Sequence, residues 1–355
     1  MMRTRYLSAY LSVFFISAMR LIPVAATAEP PLVPTSGLTS GLTSGAASGE
    51  VIVGTGDHRY RWVHDWIRLP AEVSLGGTHG CIMVDRQDRV YVNTEGAYAV
   101  LVFAPDGTLV DKWGQDYRGQ AHGMFMSREP DGAEHLWLAQ FGRHEVVRFS
   151  LGGVVEMTLP FPQSCPAYGS PDEYKPTSVT VAPNGDVYTA DGYGKGWVHQ
   201  YHAEGTWVRS WDGSAGASGK FDTPHGIGID TRTDPPQVIV CDRGNHRLQR
   251  FTLDGTWLGT VDGFRHPCKV IFRDGAAVVP DLDGRVTILD RDWHVLAQLG
   301  DNPDVSQRAN YGLAPATWRD GIFTAPHGAA WDSHGNLYVQ DWNQTGRITK
   351  LERLR

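Results

Sequence analysis

The 355-residue sequence repeats itself, and this limits its possible folds more than any other feature. A unit of loop, alternating apolar strand, polar turn, second strand ending near an Asp, and third strand ending in an aromatic or Leu returns about every 40–60 residues, which is the mark of a repeat architecture. The clearest copy is Thr223-Pro224-His225-Gly226-Ile227, then Val238-Ile239-Val240-Cys241-Asp242, then Arg247–Phe251. Other copies begin at Thr78-His79-Gly80, Ala121-His122-Gly123, Pro176-Thr177-Ser178, Pro267-Cys268-Lys269 and Pro326-His327-Gly328. Asp106-Gly107 and Asp254-Gly255 each stand between apolar runs, a strong hairpin signal, and open a fourth strand. Six such units predict an all-β, six-bladed β-propeller over residues 51–355. The sixth unit offers three strands after Pro326, so the strand-like run Tyr60–Trp66 is expected to close the ring as its outer strand and remove an open edge.

The 41 glycines suit many turns between short strands. A net charge of −7 without a Lys/Arg run argues against nucleic acid as a partner. Residues 1–28 read as a signal peptide: Arg3 and Arg5, an apolar centre at Leu11–Ala18, and Ala26-Thr27-Ala28 as the cleavage site. No later run reaches the roughly 18–20 apolar residues of a membrane helix. An exported monomer, periplasmic or extracellular, is therefore expected. Residues 29–50 carry a Ser-Gly-Leu-Thr low-complexity tract and are expected to be a disordered linker. Cys81, Cys165, Cys241 and Cys268 could form two disulfides in that compartment.

In a propeller the first strand of every blade lines the central channel, so equivalent positions form a ring. Here that ring is His79, His122, Thr177, His225, Cys268 and His327. Converging neutral imidazoles make an open metal site for zinc with room for water or substrate. His135, His144, His199, His246 and His334 fall on third strands or turns and are read as surface residues. Asp191, Asp242 and Asp341 recur at second-strand ends and are read as caps of the repeat.

The Pro-His-Gly and Ala-His-Gly strand starts, with Ala190-Asp191-Gly192-Tyr193-Gly194 and Cys241-Asp242-Arg243-Gly244-Asn245, resemble NHL-repeat propellers. More narrowly, they resemble the peptidylglycine α-hydroxyglycine α-amidating lyase family over about residues 60–355. The resemblance implies zinc at His122, His225 and His327, with Tyr193 as catalytic base and Arg243 holding a carboxylate. It further implies cleavage of a carbinolamide C–N bond to an amide and glyoxylate, on a small-molecule or peptide substrate in the channel. A cationic channel should lower the Tyr193 pKa, and Arg suits bidentate carboxylate binding.

The sequence departs from that pattern at four places. The family's second arginine falls in the run Asn93-Thr94-Glu95, and its calcium-binding Asp falls on Gly328, which argues against calcium. A methionine is replaced by Ala325, and a cysteine by Gly194, which removes one family disulfide. The additional His79 and Cys268 would admit copper or iron. Two other functions remain in view: a non-enzymatic NHL binding scaffold with incidental channel histidines, and a metal-dependent hydrolase or lactonase.

Overall fold

The computed structural model describes residues 49–129 and 131–355; the expected signal peptide and nearly all of the linker lie outside these residues. Among the described residues, twenty-five strands form six antiparallel sheets arranged as the blades of a propeller. Blade one spans Ile82–Trp113, blade two Ala121–Leu159, blade three Ser178–Trp211, blade four Pro224–Val261 and blade five Ile271–Leu299, each with four strands. Blade six takes three strands from Pro326–Arg353 and two from the N-terminal side. The expected closure is present with shifted bounds: His58–Val63, rather than Tyr60–Trp66, pairs with Arg347–Arg353 in the register Tyr60↔Arg353 and Trp62↔Leu351, and it is not the outermost strand. A further outer strand, Ile52–Thr55, pairs with His58–Val63 and makes this blade five-stranded.

The strand pattern explains the stacking. Strand Gln237–Asp242 is buried on both faces, and its residues alternate between two cores. Val238 and Val240 face blade three, while Ile239 and Cys241 face blade five. The same alternation in the other blades gives six apolar clusters among the described residues, one at each blade interface. Each fully buried Val or Leu contributes about 1.5–3 kcal/mol relative to exposure, so the ring is held by stacking rather than by sheet edges. At the closure, Trp62 packs on Phe323 at 4.8 Å between ring centroids, and Trp66 on Tyr338 at 4.9 Å.

All four cysteines are buried and unpaired, so the two disulfides that the sequence allowed are not formed. Among the described residues no helix is long and apolar enough to cross a membrane.

Candidate metal centre and active site

The innermost strands of blades two, four and six place His122, His225 and His327 by one device. Ladder pairing skips each histidine: Pro224 pairs with Asp242 and Gly226 with Cys241, and Pro326 pairs with Asp341 and Gly328 with Gln340. Blade two shows the same irregularity between Ala121 and Met124. A bulge of this kind re-aims a side chain while keeping it in the sheet. The glycine after each histidine then lets the next blade approach. A Cβ at Gly123 would overlap the Thr177 carbonyl oxygen, and one at Gly226 the Cys268 carbonyl oxygen. A Cβ at Gly328 would lie 3.1 Å from the Gly80 carbonyl oxygen. The preceding imidazole donates its Nδ1–H to that same carbonyl: His122 to Thr177 at 2.6 Å, His225 to Cys268 at 2.9 Å and His327 to Gly80 at 2.7 Å. The His-Gly dipeptide thus fixes the tautomer of all three rings and leaves each Nε2 as an acceptor.

The Asp at the end of the second strand anchors the loop that leads into this position. Asp341 accepts backbone N–H groups of Thr324 and Ala325, Asp242 that of Asp222, and Asp281 those of Arg265 and His266. Asp191 accepts those of Lys175 and Lys195. These residues do cap the repeat, and they also position the ring residues two or three places further along.

The three rings lie 4.6–4.9 Å apart between centroids and are 1–3 % exposed. Burial holds all three well below the usual histidine pKa, and the other cations in the site push the same way. His79 joins them, with its ring 4.8 Å from His122 and 5.3 Å from His327. Two sets of donor atoms lie within 4.8 Å of one another, His79–His122–His327 and His225–Cys268–His327, sharing His327. Thr177 joins through its carbonyl only, since its hydroxyl bonds to the Ala190 and Pro224 carbonyl oxygens.

Tyr193 places its hydroxyl oxygen 3.1 Å from Nε2 of His79, 3.3 Å from that of His122 and 3.1 Å from that of His225. One hydroxyl can donate only one proton, and Nε2 of His327 is buried without any partner. Several imidazole lone pairs therefore converge without protons to satisfy them. A cation removes that conflict, so the donor set fits a divalent transition metal. The Cys268 thiol is pushed up to about 12 by burial, with Arg243 opposing. Burial also raises the Tyr193 phenol above its ordinary value, more than the neighbouring Arg243 lowers it. This reverses the expected direction for Tyr193: the side chains alone do not make it a ready phenolate.

Arg243 lies over the Tyr193 ring at 5.6 Å and against the Cys268 thiol. No carboxylate among the described residues forms a salt bridge with it; the neighbouring Asp242 pairs with Arg247 instead. In the run Asn93–Glu95, where the family's second arginine falls, Asn93 links blades one and two by accepting from the Cys81 amide and donating to the Ala121 carbonyl. Glu95 faces His79 at 3.4 Å and accepts the Tyr311 hydroxyl. A Cβ at Gly194 would overlap the Asp191 carboxylate, so the missing cysteine leaves room for that cap.

Sequence reasoning missed Phe141, Trp342 and Tyr311. Phe141 packs 5.4 Å from Tyr193, and Trp342 lies 5.8 Å from His79 and 4.8 Å from Tyr311. A signal existed for the first two: Phe141, Arg243 and Trp342 each follow the second-strand cap of an even-numbered blade. Tyr311 stands in the long blade five–six connection, outside the repeat register. His199 was read as a surface residue but is fully buried, because Tyr168 and Tyr174 cover it. It bonds to Ser210 Oγ at 2.7 Å and Tyr168 Oη at 2.9 Å.

No known protein-family profile matches the sequence. Peptidyl-α-hydroxyglycine α-amidating lyase 1 of Drosophila melanogaster is 25% identical over a 259-residue alignment that covers 67% of this chain and 45% of that protein. A Caenorhabditis elegans protein named as a probable enzyme of the same kind is 23% identical over 210 residues, 58% of this chain and 55% of its own. The chain thus spans about half the length of the curated relatives it matches. A streptogramin B lyase structure aligns with TM-score 0.56 and 15% identity, covering 79% of this chain and 95% of its own. A Xanthomonas campestris gluconolactonase aligns with TM-score 0.55 and 15% identity, covering 87% and 99%. The chain therefore resembles the amidating lyases in sequence and shares its propeller fold with lyases and lactonases.

Proposed function

We propose that this protein is an exported, metal-dependent propeller lyase of the α-amidating type, cleaving a carbinolamide-like C–N bond in a small hydroxylated, carboxylate-bearing substrate. The observation that carries the reading is the set of His122, His225 and His327. Three buried imidazoles from different blades have their Nδ1 atoms occupied by backbone carbonyls, which leaves each Nε2 with a free lone pair, and their ring centroids lie 4.6–4.9 Å apart. A binding scaffold has no use for burying more imidazole lone pairs than the single Tyr193 proton can satisfy. The lactonase alternative is weaker for a chemical reason, since hard calcium prefers oxygen donors and this ring is rich in nitrogen.

His122, His225 and His327 would hold the metal, zinc in the first instance and copper or iron as alternatives. A metal cation there supplies positive charge that favours ionised oxygen beside it. Arg243, a buried cation with no carboxylate partner, holds the substrate carboxylate in its planar fork. As the phenolate, which the charge of a bound metal and of Arg243 would favour, Tyr193 takes the proton from the substrate hydroxyl at Oη. The oxygen's electron pair then forms the C=O bond of glyoxylate as the C–N pair leaves with the amide nitrogen. Tyr193 returns the proton to that nitrogen, and the phenolate is regenerated. Phe141 and Trp342 close the sides of the site against water.

The test is turnover of an N-acyl-α-hydroxyglycine by metal-loaded protein, read as glyoxylate release. The wild type should release glyoxylate, and Tyr193→Phe should lose at least a hundredfold in rate while keeping its metal, in line with the about 10²–10⁴-fold worth of a positioned acid–base group. Equal turnover by the variant would remove Tyr193 from the reaction.

A further inference from the structure

Three of the four channel histidines are oriented by backbone carbonyls; the fourth is oriented by a carboxylate. His79 Nδ1 faces Glu95 Oε1 at 3.4 Å, and Glu95 is held in turn by the Tyr311 hydroxyl, which arrives from the blade five–six connection. A carboxylate at Nδ1 selects the tautomer with the proton on that nitrogen and leaves the Nε2 lone pair inward. That Nε2 lies 3.1 Å from the Tyr193 hydroxyl oxygen, the atom on which the Nε2 atoms of His122 and His225 also converge. His79 also belongs to the donor set with His122 and His327 whose members are within 4.8 Å of one another. We infer that His79 is a fourth imidazole ligand of the channel metal and that Glu95, held by Tyr311, is its positioning residue.

The inference rests on the metal reading proposed above and adds a ligand to it. Cys268 is the competing fourth donor, since its sulfur stands near His225 and His327. Its thiol is turned toward the His266 carbonyl at 3.6 Å and lies against the Arg243 guanidinium, whereas the His79 lone pair already points at the shared centre. A four-nitrogen centre fills the position that a three-imidazole zinc site keeps for water or substrate. Substrate oxygens would then enter only on a metal that accepts five or six ligands. Glu95 also changes the charge of the site: the run Asn93–Glu95, where the resemblance placed a second arginine, carries a carboxylate and no cation, so the substrate carboxylate is left to Arg243 alone.

The experiment uses cobalt(II) added to metal-stripped, untagged protein, with the atoms bound to cobalt counted by X-ray absorption and affinity measured by competition with a chelator. The wild type should show four imidazole nitrogens and no sulfur. His79→Phe should show three and bind cobalt about 10–100-fold more weakly, and Glu95→Gln should keep four while binding about tenfold more weakly, as removal of outer-shell partners does. Should His79→Phe fail to fold, Glu95→Gln carries the test, with Tyr311→Phe beside it. A wild-type shell containing sulfur that Cys268→Ser removes overturns the inference, as does unchanged affinity in both His79→Phe and Glu95→Gln. A wild type that binds no cobalt overturns the metal reading as well, so the two failures are told apart.

Discussion

The even and odd blades differ at the channel. The inner strands of blades two, four and six have 8, 7 and 6 residues and carry the ring histidine inside the ladder at a bulge. Those of blades one, three and five have 3, 4 and 3 residues, and the continuous ladder begins only after the ring residue, with an isolated Pro267–Asp281 bridge before Cys268 in blade five. The even blades supply His122, His225 and His327, and the odd blades supply the carbonyls that hold them. At the second-strand ends the even blades contribute Phe141, Arg243 and Trp342 one residue after the cap, while odd blades one and three contribute Glu95 and Tyr193 two residues after it. A sixfold repeat thus becomes a threefold site. Three positions are locked by the sheet, and the other three lie in loops where His79, Thr177 and Cys268 could diverge.

Breaking the even-blade device should have the largest effect. In Gly226→Ala the new methyl meets backbone of the neighbouring blade, which cannot give way as a flexible side chain would. Overpacking of this kind costs about 1–3 kcal/mol, and parting the blades also frees the His225 Nδ1, so we expect both a lower melting temperature and loss of bound metal. Gly328→Ala, whose nearest neighbours stand at 2.9–3.1 Å, should be milder. Equal melting of Gly226→Ala and wild type would show that the close approach is not what holds the histidine.

Next comes the direct contrast between ring positions. His225→Ala should abolish metal binding, whereas Thr177→Val should retain it, because Thr177 contributes its carbonyl and not its side chain to the cluster. Metal content of the two purified variants decides the matter, and equal loss in both would dissolve the distinction between the blades.

The smallest effect concerns stability in an odd blade. His199, buried in blade three, is held down to about 3 by burial. In the unfolded chain it titrates near 6.5, so its contribution is fully present above that pH and is lost as pH falls from about 6.5 toward 3. At pH 5 the loss is about 2 kcal/mol relative to pH 7.5, at 1.36 kcal/mol per unit. His199→Asn should therefore lose less stability than the wild type over that interval in urea titrations, and parallel losses would contradict the burial argument. Asp191, raised to about 6 by burial, works in the opposite direction, its contribution being lost as pH rises through about 6. It remains in both proteins, so only its coupling to position 199 through the Tyr168 hydroxyl enters the comparison.

Much of this was legible in the sequence, because propeller blades carry their own register. Period-two apolar runs and Asp-Gly turns placed Leu109–Trp113 and Trp257–Val261 at the boundaries observed. The His-Gly starts aligned the ring, and the run at Tyr60 supplied the closing strand. What was not legible depends on contacts across the register. The outer strand Ile52–Thr55 is too short and too exposed to stand out. The Tyr311–Glu95–His79 chain joins parts of the sequence with no shared spacing. His199 sits at a third-strand position that is open in a bare repeat and is covered here by Tyr168 and Tyr174 from the connection between blades two and three. The Tyr193 pKa was misjudged because cations can be counted in a sequence while burial cannot.

The central claim is that the converging imidazoles hold a metal, and elemental analysis of untagged protein tests it most directly. The account predicts about one equivalent of zinc, copper or iron per chain, lost in His225→Ala and kept in Thr177→Val. A wild-type protein without transition metal, even after reconstitution, would contradict it and leave the propeller as a binding scaffold.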